Sequence, residues 1–326
     1  MNLLVKFKEI TMREIIAVEN ITRLTQLTQV KCGWITQVVW SPNGAALAIA
    51  SANGVRIYLG QFGGTPTHEI SGHDGHVKGV AFSPDGRLLA TVAADTLIKL
   101  WDLSTETIVE AATLKEHRAS ADTVAFSPDG QTLAVGSADT SITLWDVQSR
   151  LLRARLEGHE KEVTSLAFGM NGNVVFSGSW DHTIRVWDVG AETGGAVFGE
   201  HDDWVRGLAV NPPGTMLASA SKDMTVRLWD VYDSTKLYAL IHAHDLGADT
   251  VAFSPDGTLL ATGGRDHVIR LWSVHRLLAD EQATKRDALI TLVGHEKPIM
   301  SLAFNPAGTL LASASGDNTV RLWSIK

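Results

Sequence analysis

Six tryptophans, Trp101, Trp145, Trp187, Trp229, Trp272 and Trp323, recur at intervals of 44, 42, 42, 43 and 51 residues. A histidine stands 28 residues before each of them (His73, His117, His159, His201, His244 and His295). An aspartate follows each histidine by 22 residues (Asp95, Asp139, Asp181, Asp223, Asp266 and Asp317). Self-similarity at a period of about 40 residues means one supersecondary unit repeated, each copy burying its apolar face only against its neighbours. That constraint outweighs the two-domain expectation that a length of 326 residues would otherwise carry.

Within each unit, runs such as VKGVAF, RLLATVA and LIKLW are rich in β-branched and aliphatic residues and are bounded by turn signals, which predicts strands. The turn between the first two strands is SPDG at Ser83, Ser127 and Ser254, with SPNG, NPPG and NPAG as relatives; only GMNG at Gly169 lacks the proline. Proline presets φ and glycine accepts a positive φ, so the chain reverses tightly there. Followed as an antiparallel meander, the unit places its histidine and aspartate at one end and the SPDG turn at the other. Four residues before the aspartate, on the same strand face, stand Thr91, Ser177, Ser219, Thr262 and Ser313, with Val135 in the corresponding place of the His117 unit. A buried imidazole needs partners for both ring nitrogens, and an aspartate acceptor, a hydroxyl and an indole donor close such a network. The repeated histidines therefore have a structural role.

This pattern resembles the WD40-repeat family over roughly residues 20 to 326, with near-consensus copies of the prokaryotic type. The resemblance is carried by the GH pairs at His73, His159 and His295, by the aspartates, and by the WD pairs Trp101-Asp102, Trp145-Asp146, Trp187-Asp188 and Trp229-Asp230; the last two copies read WS. It implies an all-β toroidal propeller of four-stranded antiparallel blades, in which His, Asp, Ser/Thr and Trp form a non-catalytic tetrad. It also implies a top face around the central channel where partners commonly bind.

A seventh copy, WITQVVWSPNGAALAIASANGVRIYLG, comes first. Aligned on its turn, it has Lys31 for the histidine, Asn53 for the aspartate, Ile49 for the hydroxyl and Tyr58 for the tryptophan, so it lacks a tetrad. Seven units, at about 30–63, 72–106, 116–150, 158–191, 200–233, 243–276 and 294–326, predict a single seven-bladed domain over 20–326. The final copy supplies only three strands. Its outer strand is expected from about 21–29, ITRLTQLTQ, in which Leu24 and Leu27 alternate among polar residues. Such a strand closes the ring and removes an unpaired edge. Residues 1–19 fall outside the repeats, and MNLLVKFKEI is compatible with an added strand, packing on the ring, or disorder. DEQATKRDAL, Asp280 to Leu289, lengthens the last interval and reads as a solvated loop at the end opposite the histidines.

The chain has 36 acidic against 28 basic residues, a formal charge of −8, which is the wrong sign for broad binding to nucleic acid or an anionic membrane. Cys32 is the one cysteine, so no intramolecular disulfide forms and a reducing, cytoplasmic setting fits. MNLLVKF lacks the apolar core of a signal peptide, and no run of about 18 apolar residues is present. The pairs HDGH (His73, His76) and HAH (His242, His244) each contain a repeat histidine and lack zinc-site spacing. With no phosphate-binding glycine loop and no G-x-S-x-G elbow, no catalytic, cofactor or metal residue is expected, and the chain reads as a monomer that is not an enzyme.

The informative residues are those the repeat does not require. Of ten tryptophans, six hold the repeat position and Trp40 replaces the phenylalanine seen at Phe82, Phe126, Phe168, Phe253 and Phe304, leaving Trp34, Trp180 and Trp204. Trp34 and Trp204 fall three residues after the histidine position and Trp180 directly precedes Asp181, so the meander places all three at one end. Matching positions carry His76, Lys78, Asp122, Glu162, Arg206, Lys222, Asp249, Arg265 and Met300. Tryptophan and arginine are enriched at interface hot spots. The sequence thus reads as a scaffold that binds a protein or peptide on this face. Two rivals are a small-ligand or modified-lysine reader with a tryptophan cage closed by Glu162 or Asp249, and a propeller enzyme.

Overall fold

In the computed structural model, which describes residues 13–60, 62–280 and 282–326, the strands form seven sheets, six of four strands and one of five. A blade is a meander in chain order, as in Val77–Phe82, Leu88–Ala93, Leu97–Asp102 and Val109–Lys115. The inner strands contact one another in cyclic order, and the last, Ile299–Phe304, contacts the first, Ile35–Trp40. The second strands are buried at every residue in Ala46–Ser51, Thr132–Ser137 and Leu259–Gly264. Neighbouring blades cover both of their faces, which is why these runs read as continuous small and aliphatic residues without polar alternation. Each core is shared between blades: Ala90, Val92, Ile98 and Leu100 of the second blade pack with Ala121, Val124, Leu133 and Trp145 of the third.

The tight turns at the far end follow from their sequence. Gly86 adopts φ 72°, Ser83 Oγ donates to Asp85 Oδ1 at 2.6 Å, and the Leu88 N–H donates back to Ser83 Oγ at 2.9 Å.

The ring is closed by Leu24–Lys31, which pairs antiparallel with Thr319–Ile325 from Leu24↔Ile325 to Lys31↔Thr319. It begins three residues later than the sequence suggests because Ile21–Arg23 forms a 3-10 turn. Leu24 and Leu27 are three residues apart and so fall on opposite faces of the strand: Leu24 is buried and Leu27 is 43% exposed, with a register shift between Gln26 and Thr28. The described part of the stretch before it is anchored on the last blade. The Ile16 N–H donates to Gly308 O at 2.8 Å, and Ile16 and Ile21 join that blade's core. MNLLVKFKEI lies outside the described residues.

The Asp280–Leu289 stretch also departs from the solvated loop read from its charges. A short helix, Val274–Ala279, is followed by Gln282–Thr284, which pairs parallel with Leu237–His242 as a fifth strand on the neighbouring blade. Ala283 and Leu277 are buried in that blade's core, and the Lys285 ammonium pairs with Asp245 at 2.6 Å. Charged residues flank the strand; one alanine and the backbone hold it.

Candidate functional site

At the histidine end, six blades each hold a network of side chains. In the fourth, His159 Nδ1 lies 2.7 Å from Asp181 Oδ2 and Nε2 lies 2.6 Å from Ser177 Oγ, while Trp187 Nε1 donates to that hydroxyl at 2.8 Å. His73, Asp95, Thr91 and Trp101 repeat the arrangement in the second blade. His201, Asp223, Ser219 and Trp229 do so in the fifth, and His244, Asp266, Thr262 and Trp272 in the sixth. His295, Asp317, Ser313 and Trp323 complete the set in the seventh. Burial pushes the imidazoles of His73, His117, His201 and His295 below their ordinary value against the pull of their aspartates, so the rings are neutral near pH 7. Burial alone would raise the carboxyls of Asp266 and Asp317. Hydrogen bonds from His244 to the first, and from Thr319 and His295 to the second, hold both down to about 2.

The third blade keeps its network by moving the hydroxyl. Val135 sits opposite Thr143 in the ladder, and Thr143 Oγ1 lies 3.0 Å from His117 Nε2 and accepts from Trp145 Nε1 at 2.8 Å. The other five blades pair a serine or threonine with a lysine or arginine at these two places, as in Ser177↔Arg185. Here the cation has also moved one strand outward: Arg155, opposite Thr143, reaches Asp139 at 3.2 Å.

In the first blade the residue in the histidine's place is Cys32, which corrects Lys31. The Cys32 N–H donates to Asn318 O at 3.0 Å, as the His201 N–H donates to His182 O at 2.9 Å, whereas Lys31 pairs with Thr319 in the closing strand. The loop from Cys32 to Ile35 and the hairpin at Ala52–Asn53 are each one residue shorter than elsewhere, so a fixed offset from the turn misplaces the residue. Tyr58 and Ile49 pack beside Cys32, and burial pushes the Tyr58 hydroxyl up to about 12.

The inner strands of all seven blades carry a β-bulge at one position, marked by register shifts such as Val77/Gly79 and Val205/Gly207. A bulge inserts one unpaired residue and re-aims its side chain. The bulged residues, Thr36, Lys78, Asp122, Thr164, Arg206, Asp249 and Met300, all line the central channel, a cavity of about 450 Å³. Five of them were picked out from the sequence as loop residues; Thr36 and Thr164 were not. Their hydroxyls donate to Val77 O at 2.8 Å and Val205 O at 2.7 Å, tying each bulge to the next blade's inner strand. Arg206 pairs with Asp249, and Arg265 reaches the same Asp249 Oδ1 at 3.2 Å. Burial pushes the Asp122 carboxyl up, opposed by a hydrogen bond from Ser120.

Outside the channel, two of the three extra tryptophans meet. Trp180 and Trp204 stack with centroids 4.3 Å apart and planes at 12°, and the Lys222 ammonium lies 4.1 Å from the Trp204 centroid and 3.4 Å from Asp203. Both indoles are half-buried, and Trp180 Nε1 has no partner among the described residues. Backbone bonds fix the loops: the Trp180 N–H donates to Glu162 O and the Lys222 N–H to Trp204 O, both at 3.0 Å. Leu246, 63% exposed and not among the residues the repeat singles out, stands on the sixth-blade loop whose Gly247 packs against Lys222. Trp34, 53% exposed, and His76 stand on the first and second blades, away from the stack. Stacked rings leave no gap of the kind a cage for a quaternary ammonium requires, and Asp249 is occupied by two arginines. Among the described residues no group of three or more His, Cys, Asp or Glu is placed to hold a metal, and no helix is long and apolar enough to cross a membrane.

The family model for "WD domain, G-beta repeat" matches residues 64–102, 109–146, 150–188, 195–230, 235–273 and 286–324. Among curated proteins, the chain is 62% identical over 37 residues to "Periodic tryptophan protein 2 homolog" of Schizosaccharomyces pombe, covering 11% of this chain and 4% of that protein. It is 45% identical over 42 residues to "Probable cytosolic iron-sulfur protein assembly protein CIAO1 homolog" of Ixodes scapularis, covering 13% of each. With "COMPASS component SWD1" of Saccharomyces cerevisiae it shares 41% identity over 69 residues, 20% of this chain and 16% of that one. Each match spans one or two repeat units and a small fraction of the relative's length.

Proposed function

The chain belongs to the WD40-repeat family, and from that premise we propose that it is an interaction scaffold whose histidine end binds a protein or peptide partner across the fourth, fifth and sixth blades. The observation that carries this reading is the Trp180–Trp204 stack, two indoles that neither the blade cores nor the tetrads use, held half-exposed on loops fixed by backbone bonds. Tryptophan is the residue type richest in binding energy at interfaces, and clustering is the hot-spot signature. With Leu246 on the neighbouring sixth-blade loop, the stack offers an apolar anchor rimmed by Lys222 and Arg265.

The partner segment suited to this surface presents an apolar side chain to the indoles and a carboxylate to Lys222, whose ammonium lies over the Trp204 ring. Arg206 contributes less than its sequence position suggests, because it points into the channel and is neutralised by Asp249. The whole lengths of the curated relatives far exceed the matched repeats, so a named partner does not carry over from them. The reading is tested by affinity capture from the native cell with wild type and with Trp180→Ala/Trp204→Ala. Loss of the partner by the double variant at unchanged melting temperature is expected, typically about 2 kcal/mol or more of binding at a true hot spot. Raised salt should weaken capture through Lys222 and Arg265. An unchanged capture profile would refute the assignment.

A further inference from the structure

A groove of about 710 Å³ opens between the first and second blades, at the end that carries the Ser-Pro-Asp-Gly turns. Its walls include Ala46, Ile57 and His68 of the first blade and Phe82 and Gly86 of the second. Every blade junction is built from the same repeat, so each wall residue has a counterpart elsewhere in the ring. At the junction of the sixth and seventh blades the counterparts are Leu259, Leu271, Ile290, Phe304 and Gly308. Cross-strand pairs fix the match: Ala46↔Leu59, Ala48↔Ile57 and Ile57↔His68 correspond to Leu259↔Ser273, Ala261↔Leu271 and Leu271↔Ile290. Likewise Phe82↔Leu89 corresponds to Phe304↔Leu311, and Gly86 and Gly308 end the two turns at φ 72° and 68°. At that second junction the chain itself takes the space. Ile16 is 1% exposed although Glu14 and Ile15 before it are exposed; it shares an apolar cluster with Leu259, Leu271, Ile290 and Phe304. Its N–H donates to Gly308 O at 2.8 Å. One apolar side chain is set between two blades, and one backbone donor rests on the turn glycine.

Between the first and second blades the same groove is open, and Gly86 O accepts from no group among the described residues. Its wall has also receded. Ala46 stands where the other blades carry Leu88, Thr132, Val174, Met216, Leu259 and Leu310, so the space admits a side chain larger than isoleucine. Leu59, 42% exposed, extends the apolar lining, and Glu106, exposed, is the one acidic residue of the described lining. We propose that this groove docks a segment of a partner protein in the way the sixth–seventh junction holds Ile16. The segment sets a large apolar side chain between the blades, phenylalanine in preference to isoleucine, donates that residue's N–H to Gly86 O, and carries a lysine or arginine toward Glu106. Burial of the apolar side chain supplies the affinity, and the cation selects among apolar segments. The groove lies at the opposite end from the stacked indoles, so both surfaces can be filled at once.

The test is fluorescence anisotropy of labelled peptides on the full chain. The probe KQIFAVKN keeps the stretch from Ile15 to Val18, with phenylalanine in the place of Ile16 and a lysine on each side; KQIIAVKN and KQIDAVKN replace the phenylalanine. The first is expected to bind, the second several-fold more weakly, and the third at least about tenfold more weakly than the first, because a carboxylate would be buried in an apolar groove. Leu59→Asp should weaken KQIFAVKN by about tenfold or more at unchanged melting temperature, since Leu59 is exposed and outside the blade cores. Ala46→Leu restores the wall of the other blades and should abolish the preference for phenylalanine over isoleucine. Glu106→Gln should weaken binding only a few-fold, as for an exposed ion pair. Trp180→Ala/Trp204→Ala should bind the peptides as wild type does, which separates this groove from the stacked indoles. No binding of KQIFAVKN, equal binding of the three peptides, or unchanged binding by Leu59→Asp would overturn the proposal. Tighter binding after removal of residues 1–11 would assign the groove to this chain's own N-terminal residues, and a dimer that Leu59→Asp dissociates in sedimentation would assign it to a second copy; either result also overturns it.

Discussion

Thr143 shows how a single side chain can be invisible in a repeat and still complete it. The sequence places Val135 where the other blades have a hydroxyl, and a reading by position alone leaves His117 short of a partner. What it omits is the cross-strand pairing that puts Thr143 opposite Val135, with its Oγ1 within 3.0 Å of the His117 ring. Thr143→Val is therefore expected to cost about 1–3 kcal/mol, the price of leaving a buried imidazole nitrogen and an indole N–H unmet. Adding Val135→Thr should restore most of that stability, because the hydroxyl returns to the strand the other blades use. Urea unfolding of the single and double variants checks both, and a single variant as stable as wild type would contradict the network. The same networks set the acid response. Histidines whose pKa lies below the unfolded value of about 6.5 take up protons on unfolding, so stability is full above that value and is lost as pH drops from there down to the folded values. Asp266 and Asp317, at about 2 when folded, withdraw a second contribution as pH falls below their unfolded value of 3.8. Melting temperature should accordingly decline from pH 7 toward 5 and again below pH 4; a curve flat from pH 7 to 4 would contradict burial of neutral rings.

Strands and their turns were the most legible elements, because each is specified by local residues repeated many times. Elements that depend on a distant partner were read less well. The closing strand is legible from a missing fourth strand, but its bulge follows from the register against Thr319–Ile325. The charges flanking Gln282–Thr284 dominate the composition and read as a loop, whereas its strand exists by backbone pairing to Leu237–His242. The channel bulges were hidden for the opposite reason: every blade has one, so no copy stands out. Removal of residues 1–31 takes away the closing strand and leaves the edge of Thr319–Ile325 unpaired, and aggregation or a much lower melting temperature is expected. Removal of residues 1–11 leaves the closing strand and the Ile16 anchor in place and should change little. Scanning calorimetry on both truncations decides, and a 1–31 truncation that melts like the full chain would contradict the closure.

At the scale of the whole molecule, seven blades place all six tetrads, the stacked indoles and the channel's bulge residues toward one end, with the Ser-Pro-Asp-Gly turns at the other. The tetrads make the end rigid, and the residues they do not use give it a surface. The sequence revealed which tryptophans were surplus and that they share an end. Only the fold distinguishes the stacked pair Trp180 and Trp204 from the separate Trp34. The most direct test of this account is backbone hydrogen exchange of the chain, free and bound to its captured partner. Protection should appear in the loops around Trp180, Trp204, Lys222 and Leu246 and leave the Ser-Pro-Asp-Gly turns and outer strands unchanged. Protection confined to those turns or to the outer strands, with the tryptophan loops exchanging as in the free chain, would place the binding surface elsewhere.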